Sequence, residues 1–85
     1  MTETEFDVLD ELYFLQSYNY LRTTLNIGDE ILKDTLQKLT VKGWVKCYSS
    51  PTEELEFDSS TFENNYRNYY YLASKAGLLA HNSIF

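Results

Sequence analysis

Apolar residues near the start of the chain recur at steps of three and four positions. They are Phe6, Val8, Leu9, Leu12, Tyr13 and Leu15. This spacing predicts a helix from about Thr4 to Gln16. Thr2 and Glu5 have the spacing of a capping box, in which each side chain accepts a hydrogen bond from the other residue's backbone. The apolar residues cover more than one stripe, so the helix either lies deep in the core or meets a partner with its outer face.

Two further helices are predicted on either side of a tight turn. Ser17 is a candidate N-cap for a short helix from Tyr18 to Leu25. The segment Asn26-Ile27-Gly28 interrupts the pattern, and both Asn and Gly tolerate the positive φ of a turn. A third helix follows at about 29–42, with Gly43 as its C-terminal stop. Its apolar stripe consists of Ile31, Leu32, Leu36 and Leu39.

The second half of the chain alternates as strands do. We expect a strand from Trp44 to Tyr48, a turn at Ser49-Ser50-Pro51 and a second, half-buried strand in which Leu55 and Phe57 alternate with Glu54 and Glu56. Residues 58–68 are polar, with a short helical turn expected after Ser60. A returning strand from Tyr69 to Ala73 leads to Ser74, which caps a final helix from Lys75 to about Asn82.

Several motifs occupy fixed positions relative to these elements. "SYNYLRTTLNIGDEILKDTLQKLTVKGWV", residues 17–45, combines two helices, a tight turn and the "KGWV" entry to a strand, and "YYYLASKAG" resembles a strand-to-helix ending with a capping Ser. The chain therefore resembles the winged helix-turn-helix domains of bacterial repressors of the multiple-antibiotic-resistance, arsenic-repressor and phenolic-acid-repressor types. The resemblance implies an α+β fold: a three-helix core, a two- or three-stranded antiparallel wing and a C-terminal helix, in one domain spanning residues 1–85.

The resemblance also implies a non-enzymatic transcription regulator that places its third helix in the major groove of DNA. On that hypothesis Lys33, Gln37 and Lys38 face the groove and Arg22 faces phosphate. Arg67, near the return of the wing, is a further DNA-contact candidate. The alternative for the cations of this helix is a solvated face with ion pairs such as Glu30 with Lys33 and Asp34 with Lys38.

Charge favours a second function. The formal net charge is −6, whereas non-specific affinity for DNA comes from cations that face phosphate. Asp29 and Glu30 stabilise the positive end of the third helix and oppose phosphate there. Asp34 replaces a common family Arg, and the wing segment carries Glu53, Glu54, Glu56 and Asp58. The alternative hypothesis is a protein-interaction module that does not bind DNA, in which the acidic wing and a Tyr-rich strand bind a partner. The partner-contact candidates are Tyr66, Tyr69 and Tyr71.

The numbers of His, Gly and Cys residues argue against an enzyme, a cofactor site or a metal site. We expect no enzyme and no cofactor, because one His and three Gly offer neither a catalytic triad nor a phosphate loop. Cys47 is expected to be a small core residue, and with His81 alone it gives no metal-ligand spacing. A cytoplasmic protein without a membrane span is expected. The apolar first helix and the apolar end, Ile84 and Phe85, favour a homodimer.

Overall fold

The computed structural model describes residues 1–83 of the chain, a small α+β fold with five helices and a four-stranded antiparallel sheet. The predicted homodimer contacts at Ile84 and Phe85 lie outside these residues. The elements in chain order are α1 (Glu3–Glu11), β1 (Gln16–Ser17), α2 (Tyr18–Leu25), α3 (Asp29–Val41), β2 (Val45–Ser50), β3 (Glu53–Leu55), α4 (Ser59–Asn65), a 3₁₀ turn (Tyr66–Asn68), β4 (Tyr70–Ala73) and α5 (Lys75–Asn82).

The predicted caps of α1, α2 and α5 are confirmed. Thr2 and Glu5 form a complete capping box, with hydrogen bonds of 3.1 and 2.9 Å between each side chain and the other's backbone N–H. Ser17 accepts from the backbone N–H of Tyr20, and Ser74 from that of Gly77, each at 3.1 Å. These three helices therefore begin where their local sequence signals place them.

The predicted end of α1 is wrong by several residues. The helix ends at Glu11 rather than near Gln16. The Leu12 carbonyl accepts a hydrogen bond from the backbone N–H of Ala73 at 2.9 Å, and Gln16 and Ser17 pair with β4 as the edge strand β1. Pairing with a strand more than fifty residues later has overridden the helical periodicity, which continues to Leu15.

The turn between α2 and α3 uses Asn26 rather than Gly28 for its left-handed residue. Asn26 has φ 52° and ψ 47°, whereas Gly28 has φ −68° and is the N-cap of α3. Gly28 makes no side-chain cap, so the first turn of α3 depends on other partners for its polar groups. At the other end, Gly43 follows α3 with φ 80°, as its predicted role as a stop requires.

The sheet has the strand order β1-β4-β2-β3, and all three pairings are antiparallel. Strand β2 runs to Ser50, so the predicted turn at Ser49-Ser50-Pro51 starts too early. The register between β2 and β3 shifts between Tyr48 and Ser50, and this irregularity carries β2 two residues further than its alternating pattern indicates. Strand β3 ends at Leu55, which leaves Phe57 in the following connection.

Helix α4 is longer than the predicted turn and begins earlier. Its N-cap is Asp58, whose carboxylate accepts from the backbone N–H of Thr61 at 3.0 Å. The sequence predicts the cap at Ser60. Asp58, Ser59, Ser60 and Thr61 are all able to cap a helix, so local sequence does not choose among them. The structure starts α4 at Ser59, and Phe62 within it is buried.

One apolar cluster joins the helices to the sheet. Its fully buried side chains come from α1, α2, α3, α4 and β4, and include Leu9, Leu12, Tyr18, Leu21, Leu32, Leu36, Leu39, Phe62 and Tyr71. Cys47 is buried among them, which confirms its prediction as a core residue. Within residues 1–83, no helix is both long enough and apolar enough to cross a membrane.

Candidate functional site

Helix α3 presents one continuous outer face. Successive residues turn by about 100° around a helix, so Ile31, Asp34, Lys38 and Val41 lie on the same side. The buried stripe of Leu32, Leu36 and Leu39 faces the core on the opposite side. Two of the outer residues are large and apolar, with Ile31 55% and Val41 67% exposed. The outer face therefore combines solvent-exposed aliphatic groups with charges of both signs.

Asp29, the first residue of α3, is the centre of a polar network. Its carboxylate accepts hydrogen bonds from the hydroxyl of Tyr18 and, at 2.8 Å, from the hydroxyl of Tyr66. Arg67 adds two more, from Nε at 3.2 Å and from Nη2 at 2.6 Å. The Tyr18 hydroxyl also lies 3.2 Å from the Asp29 carbonyl oxygen. These contacts tie the start of α3 to α2 and to the 3₁₀ turn.

The network sets the protonation of its members. Hydrogen bonds from Arg67 and Tyr18, with a smaller contribution from Tyr66, hold the pKa of Asp29 well below its ordinary value despite some desolvation. Burial, together with the Asp29 carboxylate, raises the pKa of both Tyr18 and Tyr66. Asp29 is therefore an anion and both phenols are neutral donors near neutral pH. The four hydrogen bonds satisfy the acceptor capacity of this carboxylate, and Arg67 pairs with its charge.

Two DNA-contact candidates are engaged within the protein. Arg67 is bound to Asp29 and stacks against the ring of Tyr66, with 5.0 Å between the guanidinium carbon and the ring centroid. Lys33 forms an ion pair with Glu63 of α4 and lies 5.3 Å from the centroid of the same ring. The predicted partner of Lys33, Glu30, is not the residue that pairs with it. Both cations therefore hold α4 and the 3₁₀ turn against α3.

The other three DNA-contact candidates face solvent or lie partly buried. Arg22 on α2 and Lys38 on α3 are exposed, and Gln37 is half-buried. Within residues 1–83, neither Arg22 nor Lys38 forms an ion pair, so the predicted pair of Asp34 with Lys38 is not formed. The outer face of α3 thus offers the cation Lys38 beside the anions Glu30 and Asp34.

The hairpin of β2 and β3 is strongly acidic. Glu53 and Glu54 in β3 and Glu56 just after it are exposed, and the Nζ of Lys46 lies 3.8 Å from a carboxylate oxygen of Glu54. Glu53 also accepts a hydrogen bond from the Ser49 hydroxyl at 3.3 Å. The hairpin therefore adds negative charge beside the sheet and has no exposed cation other than Lys46.

The three partner-contact candidates in the Tyr-rich segment are core residues. Tyr71 is fully buried and donates to the Tyr66 carbonyl oxygen at 2.8 Å, and Tyr66 and Tyr69 are buried as well. The assignment of these rings to a partner surface requires correction, because no part of Tyr71 reaches solvent. The opposite face of β4, which carries Tyr70 and Leu72, is half-buried. Alternation along the strand predicts which residues share a face of the sheet, but it does not predict which face points toward the core.

A second polar cluster joins α1 to α5. The hydroxyl of Tyr13 lies 2.8 Å from Nδ1 of buried His81, and the Phe6 ring stacks on the imidazole with centroids 4.2 Å apart. Nε2 of His81 lies 3.3 Å from a carboxylate oxygen of Asp10 without the alignment of a hydrogen bond. His81, in the last turn of α5, therefore packs against α1.

Sequence reasoning did not find the acceptor role of Asp29 or the roles of Tyr18, Glu63 and His81. The only local signal was the acidic residue at the start of α3, which had an adequate explanation in the helix dipole. Comparison of the chain with models of protein families, with curated proteins and with solved structures finds no match.

Proposed function

We propose that this chain is a winged helix-turn-helix domain that binds another protein through the outer face of α3. The architecture is supported by the succession α1-β1-α2-α3 followed by an antiparallel hairpin, with β1 paired to the last strand beside that hairpin. In this fold α3 occupies the position of the reading helix, and α4 with the 3₁₀ turn forms an insertion between the hairpin and β4. A winged helix serves both DNA and protein partners, so the surface of α3 decides the function.

The observation that carries the proposal is the exposure of Ile31 and Val41 on that surface. At about 1.5 Å per residue, the two side chains are separated by roughly 15 Å along the helix. Exposed aliphatic groups spaced along one helical face are typical of a helix that packs into an apolar groove of a partner. Neither residue contributes to the protein's own core.

The charges of the same surface support a protein partner over DNA. Lys33 is bound to Glu63 and Arg67 to Asp29, which leaves Lys38 as the cation on the outer face of α3 among Glu30 and Asp34. To bind Lys33 and Arg67, a DNA phosphate would first have to displace the carboxylates of Glu63 and Asp29 from them. DNA recognition needs several free cations to position the protein on the duplex.

The first test is binding to mixed-sequence duplex DNA by fluorescence anisotropy at about 50 mM and about 200 mM salt. We expect no saturable binding at either salt concentration. Binding that weakens steeply with salt, and that Arg22→Ala and Lys38→Ala reduce, would overturn the proposal and favour the transcription regulator.

The second test places the photoreactive residue benzoylphenylalanine at position 31 or 41 and irradiates cells of the native host. We expect adducts with the same protein from both positions. The matched control places it at Asn64, an exposed residue of α4 that lies outside the α3 face. Equal labelling from position 64, or no adduct from positions 31 and 41, would contradict a binding face on α3.

We also propose that the chain self-associates through the side formed by α1 and α5. Phe14, just after α1, is 76% exposed, and Leu79 on α5 is 62% exposed. Burial of such side chains is a common source of dimer stability. Light scattering at high protein concentration should give the mass of a dimer, and Leu79→Asp should reduce it to that of a monomer. A monomeric mass for the unaltered protein would exclude the dimer.

A further inference from the structure

A pocket lies beneath the connection between β3 and α4. Its volume is about 240 Å³. Its apolar lining comes from β2, the end of β3, the connection, α4 and the residue before β4, in the form of Cys47, Leu55, Phe57, Phe62 and Tyr69. The rings of Phe57 and Phe62 have centroids 5.7 Å apart and are tilted by 51°. Three aromatic rings and two smaller apolar groups therefore line a pocket that is partly open to solvent.

The remaining lining residues give the pocket a negative rim. They are Glu56, Asp58 and Thr61. Asp58 accepts a hydrogen bond from the backbone N–H of Thr61, and this bond lowers the pKa of the Asp58 carboxyl. Asp58 is thus ionised near neutral pH, and Glu56 is exposed to solvent. Among the residues that line the pocket, two are acidic and none is basic.

We propose that this pocket binds a small amphipathic cation, in which one aromatic ring carries a short alkylammonium chain. An apolar cavity of about 150 Å³ holds a benzene-sized molecule, so 240 Å³ leaves additional room for a short chain. The ring fits among the apolar side chains, and the ammonium group meets Glu56 and Asp58 at the rim. Ligand pockets commonly pair an aromatic lining with a few charged groups that fix the ligand's orientation.

The pocket is distinct from the outer face of α3, and the inference does not depend on what that face binds. The two regions are nevertheless adjacent through α4. Phe62 lines the pocket, and its ring stacks on that of Tyr66 with centroids 5.6 Å apart. Glu63, the residue after Phe62, forms an ion pair with Lys33 of α3. A ligand in the pocket therefore contacts the helix that is fastened to α3.

The test is a titration of the isotope-labelled protein, followed by amide chemical shifts, with three molecules of similar shape. They are 2-phenylethylammonium, neutral 2-phenylethanol and anionic 3-phenylpropionate. We expect saturable shifts from the ammonium compound at Cys47, Phe57, Phe62 and Tyr69, weaker binding of the alcohol by a few-fold and no binding of the carboxylate. Absence of saturable shifts with the ammonium compound, or equal affinity for all three molecules, would overturn the proposal.

Two variants locate the site, each with a matched control. Glu56→Gln should weaken binding of the ammonium compound by up to about fivefold, as expected for one exposed charge pair. Glu53→Gln, on the same hairpin but outside the pocket lining, should leave the affinity unchanged. Thr61→Phe should fill the pocket and abolish the shifts, whereas Ser60→Phe places the same ring beside the pocket without lining it. If a variant and its control bind the ammonium compound with equal affinity, the ligand does not occupy this pocket.

Discussion

The guanidinium of Arg67 holds the carboxylate of Asp29 through two hydrogen bonds, at 3.2 and 2.6 Å, across 38 positions of sequence. This paired geometry is the preferred one between Arg and a carboxylate. It fastens the 3₁₀ turn after α4 to the first residue of α3. The acidic start of α3 therefore has a structural partner in addition to the helix dipole, and Arg67 is occupied by it.

Replacement of Asp29 by Asn should lower the melting temperature at pH 7, because the ion pair with Arg67 is lost. The folded-state pKa of Asp29 is depressed, so its contribution to stability is present above the unfolded pKa of about 4 and is lost as the pH falls further. The difference in melting temperature between Asp29→Asn and the unaltered protein should therefore shrink below pH 4. Circular dichroism melts at pH 7 and pH 3 measure it.

The matched control for this prediction is Asp34→Asn, one turn along α3 on the exposed side. It should change the melting temperature little at either pH. If Asp29→Asn and Asp34→Asn behave alike at pH 7, the network around Asp29 does not contribute to stability.

Gly77→Ala should destabilise the fold by about 1 to 3 kcal/mol, the usual cost of excess volume in a packed site. A Cβ at Gly77 would overlap the backbone carbonyl of Trp44, which cannot move aside as a flexible side chain does. Urea denaturation measures the free energy of unfolding. Gly28→Ser is the control: it has open space and an N-cap position, so its effect should be a few tenths of a kcal/mol.

Tyr71→Phe should cost about 1 kcal/mol of unfolding free energy, because it removes the hydrogen bond to the Tyr66 carbonyl and keeps the buried ring. Tyr70→Phe removes a hydroxyl from the half-buried face of the same strand and should change stability by less than about 0.5 kcal/mol. Urea denaturation of the two variants provides the comparison. A larger loss for Tyr70→Phe would contradict the orientation of β4.

Cys47 should react slowly with iodoacetamide in the folded protein. Burial raises its pKa from 9.0 to about 11, despite the Thr40 hydroxyl nearby. A difference of two pKa units lowers the thiolate fraction roughly 100-fold. Alkylation at pH 8 should therefore be at least that much slower in buffer than in concentrated urea, as followed by mass spectrometry. Comparable rates would show that the thiol is accessible and ionised.

Local signals in the sequence predicted the parts of the fold that depend on neighbours three or four residues apart. The capping box of Thr2 and Glu5, the caps at Ser17 and Ser74, and the Leu32, Leu36 and Leu39 positions of the α3 stripe belong to this group. Ile31, predicted in the same stripe, is instead 55% exposed. Each of these arrangements is decided within one helical turn, so the residues involved are visible together in the chain.

Contacts between distant residues could not be predicted in the same way. Strand β1 exists because Gln16 and Ser17 pair with Tyr71 and Tyr70, and two residues carry too little alternation to indicate a strand. Arg67, the ion-pair partner of Asp29, lies 38 positions away, and Glu63, the partner of Lys33, lies 30 positions away. Both belong to a segment with several plausible helix starts. The orientation of the tyrosines in β4 depends on which face of the sheet the helices cover, and alternation alone does not distinguish the two faces.

The single Trp44 stands at the junction of three elements. The Nζ of Lys42 lies 4.7 Å from the centroid of the Trp44 ring. The backbone carbonyl of Trp44 accepts a hydrogen bond from the N–H of Ser74 at 2.9 Å, and Gly77 of α5 packs against the Trp44 backbone. Its indole is therefore a native spectroscopic reporter for this junction. Its emission should change when α5 separates from the end of α3, so the protein carries its own optical probe of the order in which its helices come apart.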